Sequence, residues 1–293
     1  MFRQSARGTS LERSWGQARR NNLQGRVAKE IESSERRFNV WLQRYHNSKT
    51  VREAEALPLR RDMVTLLTHV RDNRIVGTQS TGNMPLKAVR EVTARFVKPP
   101  QLDHTIGDHT YKLRSEADVW PLYYLHILAE VGGLLIIAPA RRWWLSSGAD
   151  SFLALDPLLQ VSFLLTVWWH QVNWLVAYPF EGMGEELPSS FNVATLAQLR
   201  ALTTETAISF EAFADALIEK TGLTWTAPDS SAATMLLRSS IARMVIDILA
   251  NFGAAKREYR EEPLGKGTTS CLDAFDITPF GKALLDAVAI VSD

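Results

Sequence analysis

The sequence predicts a mainly α-helical protein with short β-hairpins, in which two compact units share a core and follow an N-terminal helical arm. Apolar residues recur at helical spacing in several long segments, and short extended runs bounded by glycine or proline lie between these segments. An apolar fraction of 46% in a chain of 293 residues is enough for a substantial core. These observations favour helices that form the core and hairpins that close it.

The arm, residues 1–57, is strongly basic. Its first 52 residues contain twelve basic and four acidic side chains, a net charge of +8, so the rest of a chain with formal net charge +1 carries −7. Residues 1–20 show no period, which predicts disorder, whereas apolar residues from Leu23 to Tyr45 have helical spacing with arginines on the other face. This asymmetry favours an arm that meets a polyanion or folds onto the protein's own acidic body.

The next region, residues 58–190, opens with a helix predicted over 59–70 and then a glycine-containing stretch, GTQSTGNMPLKAVREV, which starts at Gly77. A phosphate-binding loop of the Walker type needs a lysine and a hydroxyl residue directly after its second glycine, and Asn83 and Met84 occupy those positions. The stretch therefore predicts a turn into a helix over 84–97, with Asn83 as its cap.

A helix and a hairpin are predicted further along the same region. The run WPLYYLHILAEV predicts a helix over 120–131 that ends at two glycines. Residues 134–137 and 141–145 predict the two strands of a hairpin, and a helix over 149–155 follows.

A tryptophan-rich run, VSFLLTVWWHQVNWLVAY over 161–178, has the length of a membrane span. Its polar residues His170, Gln171 and Asn173 would be costly at the centre of a bilayer, so a helix buried in the core explains the run better. His170 is then expected to be a hydrogen-bonded core histidine.

The third region, residues 191–293, contains the clearest alternation of helices and strands. A long helix is predicted from Ser230 or Ser231, and strands are predicted over 254–260 and 270–277. Thr278 followed by proline predicts the N-cap of a final helix.

Three places in the chain share one order of elements: helix, break, extended hairpin-like run, a hydroxyl residue close before a glycine, and another helix. The hydroxyl and glycine positions are Ser80-Thr81-Gly82, Ser146-Ser147-Gly148, and Thr278 with Gly281. A hairpin that seals one side of a small helical bundle is the arrangement of a winged-helix unit. The sequence therefore predicts degenerate tandem winged-helix units, of which the third copy is the most complete.

Several motifs also resemble known proteins. The runs TGNMPLKAVRE, LHILAEVGGLL and WLSSG and the closing ITPFGKALL resemble the tandem winged-helix region of bacterial helicase-associated proteins of the XPB N-terminal-like type. TGNMP is also similar to uncharacterised bacterial proteins near the plasmid pRiA4b ORF-3-like family. The resemblance spans about residues 60–290 and implies a binding or docking module without catalytic residues. The chain has no Walker A sequence, so an ATPase activity is not expected.

The sequence offers few residues for chemistry. His104 and His109, near Asp103 and Asp108, lack zinc-ligand spacing and a third ligand, which favours a solvated loop. Cys271 is the single cysteine, which favours a reducing cytoplasmic setting, and it has no evident partner for catalysis. No cofactor, metal, membrane or small-molecule substrate is predicted, and the protein is expected not to be an enzyme.

The nine tryptophans could stack on bases, but most fall at positions that face a core. Trp120, Trp168, Trp169 and Trp174 are expected in the core, whereas Trp143, beside two arginines, is expected to have a surface role.

The basic side chains predict a function. They are expected to neutralise phosphates of DNA in a weak, salt-sensitive complex, and the chain would bind DNA or dock on a nucleic-acid-processing machine. The alternative is a protein-interaction adaptor that does not bind nucleic acid. The candidate nucleic-acid-binding residues are Arg19, Arg20, Arg26, Lys29, Arg36, Arg37, Lys87, Arg90, Arg141, Arg142, Lys256 and Arg257.

Overall fold

Short capping signals set the limits of the first helices. The structure, a computed structural model, describes residues 33–106, 109–137, 139–177, 186–226, 229–264 and 267–292. The chain is helical over 33–45, which we name α1, and the Asn47 side chain then accepts hydrogen bonds from the backbone N–H groups of Lys49 and Thr50 at 3.0 and 3.2 Å. These bonds start α2 (Ser48–Ala56), and a proline in the first turn starts α3 (Pro58–Asp72).

The rest of the first half alternates helices with two small hairpins. In chain order the elements are α4 (Leu86–Thr93), β1 (His104–Ile106), β2 (His109–Tyr111), α5 (Trp120–Val131), β3 (Leu135–Ile137), β4 (Trp143–Leu145), α6 (Ser147–Ala154), α7 (Pro157–His170) and α8 (Trp174–Ala177). Strands β1 and β2 pair with each other, as do β3 and β4, and both pairs are antiparallel.

The second half contains a longer hairpin. Its elements are α9 (Phe191–Ala201), β5 (Ile208–Ser209), α10 (Phe210–Thr221), α11 (Ser230–Ile241), α12 (Ile248–Asn251), β6 (Ala255–Leu264), β7 (Gly267–Ile277) and α13 (Pro279–Ser292). A π-helical turn over Ala242–Asp247 joins α11 to α12, so the two form one continuous helix. The three strands lie in the order β5-β7-β6.

The two halves repeat one topology. In the C-terminal unit, β5 follows α9 and pairs with β7, the second strand of the hairpin. In the first unit, the short extended segment after α3 pairs with β4 in the same way: Val76 forms an antiparallel bridge with Arg142, and Trp143 N donates to Ile75 O at 3.1 Å. Each unit thus places a helix, a strand, two helices and a hairpin in the same order, and the first unit adds the β1–β2 hairpin.

The tryptophan-rich helix α7 lies at the centre of a core common to both units. Trp168, Trp169 and Trp174 are fully buried, as predicted, while Trp120 is only half-buried. Helices α2, α5 and α13 all pack against α7, so the core extends across the units. Within the described ranges, no helix combines the length and the apolar character needed to cross a bilayer.

The prediction of a mainly helical protein with short β-hairpins is confirmed, since small antiparallel sheets of two or three strands lie among the helices. Some boundaries were wrong. The helix expected over 84–97 is the shorter α4, which begins after Pro85, and Asn83 is not its cap. The segment expected to be a loop around His104 forms the β1–β2 hairpin.

Three further expectations need correction. The N-cap of α11 is Asp229, whose side chain accepts from Ala232 N at 2.7 Å, and not Ser230 or Ser231. The strands β6 and β7 extend into the segment that was expected to connect them, because the pairing runs to the end of the hairpin. His170 Nε2 donates a hydrogen bond to Val288 O at 3.1 Å, but its side chain is exposed and not in the core.

Candidate nucleic-acid interface

The basic residues predicted on the arm fall into two groups. Arg19, Arg20, Arg26 and Lys29 lie outside the described residues. Arg36 and Arg37 lie on α1, where Arg36 is exposed and the half-buried Arg37 donates to Ser34 Oγ at 3.3 Å.

Helix α1 is attached to the body through its aromatic face. Trp41 is buried and its indole N–H donates to Ala283 O of α13 at 2.7 Å. The Tyr45 hydroxyl donates to Asp286 Oδ2 at 2.7 Å. Burial, followed by the hydrogen bond and the negative charge of Asp286, raises the pKa of Tyr45 to about 12. The described part of the arm therefore packs on the body, with Arg36 left at its surface.

In the first unit, the candidate cations of α4 are engaged with acids. Lys87 lies 3.9 Å from Glu91 on the same helix. Arg90 binds Asp103 with two nitrogens, at 3.0 and 3.2 Å, and this pairing raises the pKa of Arg90 and lowers the pKa of Asp103. Because both groups are exposed, water and salt weaken this pair, and a phosphate could compete for Arg90.

The other two cations of the first unit lie at its β3–β4 turn. Arg141 Nη1 donates to Gln79 O at 3.3 Å, which links this turn to the glycine-containing stretch, and Arg142 bridges to Val76 through the backbone. The expectation that Trp143 has a surface role was wrong: its side chain is 3% exposed, and its indole N–H donates to Gly82 O at 2.9 Å. Its neighbour Trp144, 51% exposed, is the tryptophan at the surface.

The predicted cations of the C-terminal hairpin are paired as well. Lys256 lies 3.9 Å from Asp276, and Arg257 Nη1 donates to Asp247 Oδ1 at 2.6 Å. The Arg257 guanidinium also lies over the Tyr259 ring, 5.6 Å from its centroid.

A groove of about 850 Å³ lies near these residues, between α11 and the β6–β7 hairpin. Four side chains of the groove lie along the exposed face of α11 and its continuation, each four positions from the next, so they form one stripe. They are Ser231, Met235, Ser239 and Arg243. Tyr259 and Arg260 of β6 line the facing side. We call this the α11 groove.

The charges of the α11 groove nearly cancel. Arg238 donates from two nitrogens to Asp215, at 2.8 and 2.7 Å, and from a third to Glu211, and the Asp215 bond is the main cause that raises the pKa of Arg238. Arg260 binds Asp273 at 2.7 Å. Arg243 differs, because it is exposed and makes no ion pair with any described residue.

The sequence analysis did not identify Met235, Arg238 or Arg243. A signal was present, since the buried residues Leu237, Ile241 and Ile248 recur at helical spacing. This spacing places Ser239 and Arg243 on the outer face of the helix.

The helix in the first unit that corresponds to α11 is α5, and it is covered. Its Tyr124 ring packs edge-on against Trp168, with 5.2 Å between ring centroids. Its His126 Nδ1 lies 2.8 Å from Glu116 Oε1, and both side chains are buried. The two corresponding helices therefore differ in their structural role. Helix α5 contributes its side chains to the core, whereas α11 exposes one face to solvent.

Glu116 also explains the stretch that resembles a phosphate loop. Its Oε2 accepts from Met84 N at 2.6 Å. Trp143, whose ring lies tilted against His126 with 4.3 Å between ring centroids, donates from its indole N–H to Gly82 O. The backbone N–H that would face a phosphate is thus bonded to a buried carboxyl group. The stretch turns the chain and fastens the turn to α5.

A metal site was not predicted, and among the described residues no group of three or more His, Cys, Asp and Glu side chains could hold a metal ion. The side chains of His104 and His109 lie outside the described part of the structure. Cys271, in β7, lines the α11 groove and is not in a disulfide.

Comparison with known proteins adds little to this geometry. No family model and no curated protein sequence matches the chain. A solved structure of the restriction endonuclease FokI bound to DNA is similar over 88% of this chain and 46% of that chain, with 12% sequence identity and a TM-score of 0.30. The chain thus spans less than half the length of that protein, and a likeness this low carries no inference about fold or function.

Proposed function

We propose that the chain is a non-enzymatic module of tandem winged-helix units that binds duplex DNA weakly through the α11 groove. The repeated topology of the two units supports the winged-helix assignment, together with the proposed relationship to the helicase-associated proteins that the motifs resemble. The observation that carries the DNA assignment is the exposed stripe on α11, which lies beside the hairpin. In helix-turn-helix proteins the second helix enters the major groove, and α10 and α11 stand in that order.

The contact would be weak because few positive charges are free. Arg243 is the cation of the stripe, and Arg260 and Arg257 would have to exchange an aspartate for a phosphate. The carboxyl group of Asp229 caps the N-terminus of α11 and would repel a phosphate there. The C-terminal half of the stripe, with Ser239 and Arg243, is therefore the part that would face the DNA backbone.

The test is binding of the full chain to a duplex across a salt series, with Arg243→Ala compared with Arg52→Ala. Both arginines are exposed and make no ion pair with described residues, and Arg52 lies on α2, outside the groove. We expect Arg243→Ala to reduce the slope of log affinity against log salt by about 1 and Arg52→Ala to leave it unchanged. Absence of salt-dependent duplex binding, or equal slopes for the two variants, would contradict the DNA assignment.

A second function, docking of a protein, is favoured by the balance of charge in the α11 groove. Met235 is 64% exposed and Tyr259 is 51% exposed, while the groove's arginines largely bind acids, a combination typical of protein interfaces. Site-specific photo-crosslinking from position 239 in cells, followed by nuclease treatment of the lysate, tests this function. One discrete partner that is lost in Met235→Glu and retained in Val193→Glu, an exposed residue of α9, would support it. Loss in both variants, or no partner, would contradict it.

A further inference from the structure

A cleft in the first unit, separate from the α11 groove, has an unusual concentration of positive charge. It has a volume of about 540 Å³ and lies between α3 and the residues that follow α4. Arg60 and Arg61 of α3 and Arg95 from beyond α4 all line it, and its described lining contains no acidic residue. The cleft shares no lining residue with the α11 groove, and none of the three arginines was a candidate from the sequence.

Arg60 is held in a fixed position by a hydrogen bond to a buried side chain of α7. Its Nε donates to Gln160 Oε1 at 2.5 Å, and Gln160, which is buried, in turn donates from Nε2 to Phe152 O at 2.8 Å. A fixed guanidinium loses less conformational entropy when it binds an anion than a freely rotating one. Burial lowers the pKa of Arg60, against the opposing charges of Glu55 and Asp156, which act from beyond ion-pair distance.

Arg61 and Arg95 supply exposed positive charge. Among the described residues, no carboxyl group forms an ion pair with Arg60, Arg61 or Arg95, whereas Arg90, Arg238 and Arg257 all have acid partners. The carboxyl group beside Arg61, that of Asp62, accepts from Val97 N at 2.8 Å and thereby anchors one wall of the cleft. Three arginines that line one cleft from two elements, with no ion-paired carboxyl group among the described residues, favour an external anion.

We infer that this cleft binds a phosphate group, with Arg61 and Arg95 as the exposed ligands and Arg60 as the fixed one. Arginine binds phosphate through two parallel N–H bonds. The Thr65 hydroxyl donates to Arg61 O at 3.0 Å, within the turn of α3 that carries Arg61. Val64 and Val97 give the same cleft an apolar wall that contacts the part of the ligand beyond the phosphate. A phosphate of a nucleic-acid strand and that of a free nucleotide or pyrophosphate present the same chemistry.

The inference does not depend on the proposed role of α11 and has its own test. Titration calorimetry of the full chain with pyrophosphate and with adenosine monophosphate, and anisotropy with a labelled single strand and a duplex, all at low ionic strength, measure the two ligand sources. The variant is Arg61→Ala with Arg95→Ala. The matched control is Arg52→Ala with Arg74→Ala, which removes the same charge from exposed positions outside the cleft.

We expect the cleft variant to weaken binding about a hundredfold, about tenfold for each charge-assisted contact removed, and the control to change it less than about threefold. Small phosphates that bind with this dependence identify a free ligand, and binding of DNA alone identifies the nucleic-acid backbone; either result supports the site. If no probe binds, or if the control and the cleft variant weaken binding equally, the inference is wrong. Both variants should unfold at the wild-type temperature, because the four arginine side chains are exposed.

Discussion

At the scale of single residues, Glu116 joins two segments of the chain through a buried carboxyl group. Its side chain is 0% exposed and accepts from Met84 N while it also binds His126. Glu116→Leu removes both acceptor oxygens and leaves Met84 N–H and His126 Nδ1 buried without this partner. We expect the free energy of unfolding in a denaturant titration to fall by about 1–3 kcal/mol, the cost of an unsatisfied buried polar group.

Glu130→Leu is the control for that change. Glu130 lies 3.6 Å from the other nitrogen of His126, but half of its side chain is exposed, so its loss should cost no more than about 0.5 kcal/mol. Equal losses for the two variants would show that the network is not held by Glu116.

Tyr45 gives the protein a pH dependence in the alkaline range. Its pKa is about 12 in the folded chain, against an ordinary value of 10.0, so the folded state holds the phenol proton more tightly than the unfolded state. This contribution to stability is complete below pH 10 and is lost as the pH rises towards 12. We expect the free energy of unfolding to fall more steeply between pH 10 and 12 in the wild type than in Tyr45→Phe. Parallel curves of unfolding free energy against pH for the two proteins would contradict the raised pKa of Tyr45.

At the scale of elements, the β3–β4 hairpin shows how alternation decides the role of neighbouring residues. Trp143 and Trp144 are adjacent, yet strand geometry buries the first and exposes the second. Trp143→Ala should reduce the free energy of unfolding by about 3–5 kcal/mol, whereas Trp144→Ala should change it by less than about 0.5 kcal/mol. The reverse order in thermal or denaturant unfolding would mean that the strand register is wrong.

This hairpin also shows what the sequence could and could not predict. The strand positions followed from short apolar runs between glycine and proline, and α5 was predicted with its observed limits. The face of β4 was not predictable from the arginines beside Trp143, because Gly82, more than sixty positions earlier, supplies the acceptor for its indole N–H. The cleft arginines were missed for the same reason, since Arg61 and Arg95 meet only through the packing of α3 against α4.

The turn at Gly77 has a steric requirement that can be separated from backbone strain. A Cβ atom at Gly77 would lie 2.0 Å from Gly82 O, whereas Gly133, with φ of 66°, has no atom within 4 Å of such a Cβ. Gly133→Ala should therefore cost only about 1 kcal/mol for a left-handed backbone, and Gly77→Ala should cost about 3 kcal/mol or more. The difference between the two unfolding free energies measures the clash between the added Cβ at position 77 and Gly82 O. Similar values would contradict the close approach of these two parts of the backbone.

At the scale of the whole molecule, one topology appears twice with different surroundings. In the first unit, α7 and the hydrogen bonds of Glu116 with Met84 and His126 cover α5, so the side chains of α5 belong to the core. In the second unit, α13 packs on α7 and α9 and leaves the outer face of α11 exposed. This difference between the two copies explains why binding is proposed at one hairpin only. The sequence predicted degenerate copies, of which the last is the most complete.

The arm extends this division of roles, because its described helix packs on the body while the basic residues before it lie outside the described structure. Deletion should therefore stop at residue 32: removal of residues 1–32 keeps Trp41 and Tyr45, and removal of residues 1–46 takes the core contact of Trp41 away. We expect the first variant to unfold at the wild-type temperature and the second to be destabilised by about 3 kcal/mol or more. If Arg19, Arg20, Arg26 and Lys29 each contact a phosphate, removal of residues 1–32 should also reduce the slope of log DNA affinity against log salt by about 4. An unchanged slope in the stable variant would show that the arm does not bind the duplex, and it would leave Arg243 and the cleft arginines as the cations to test.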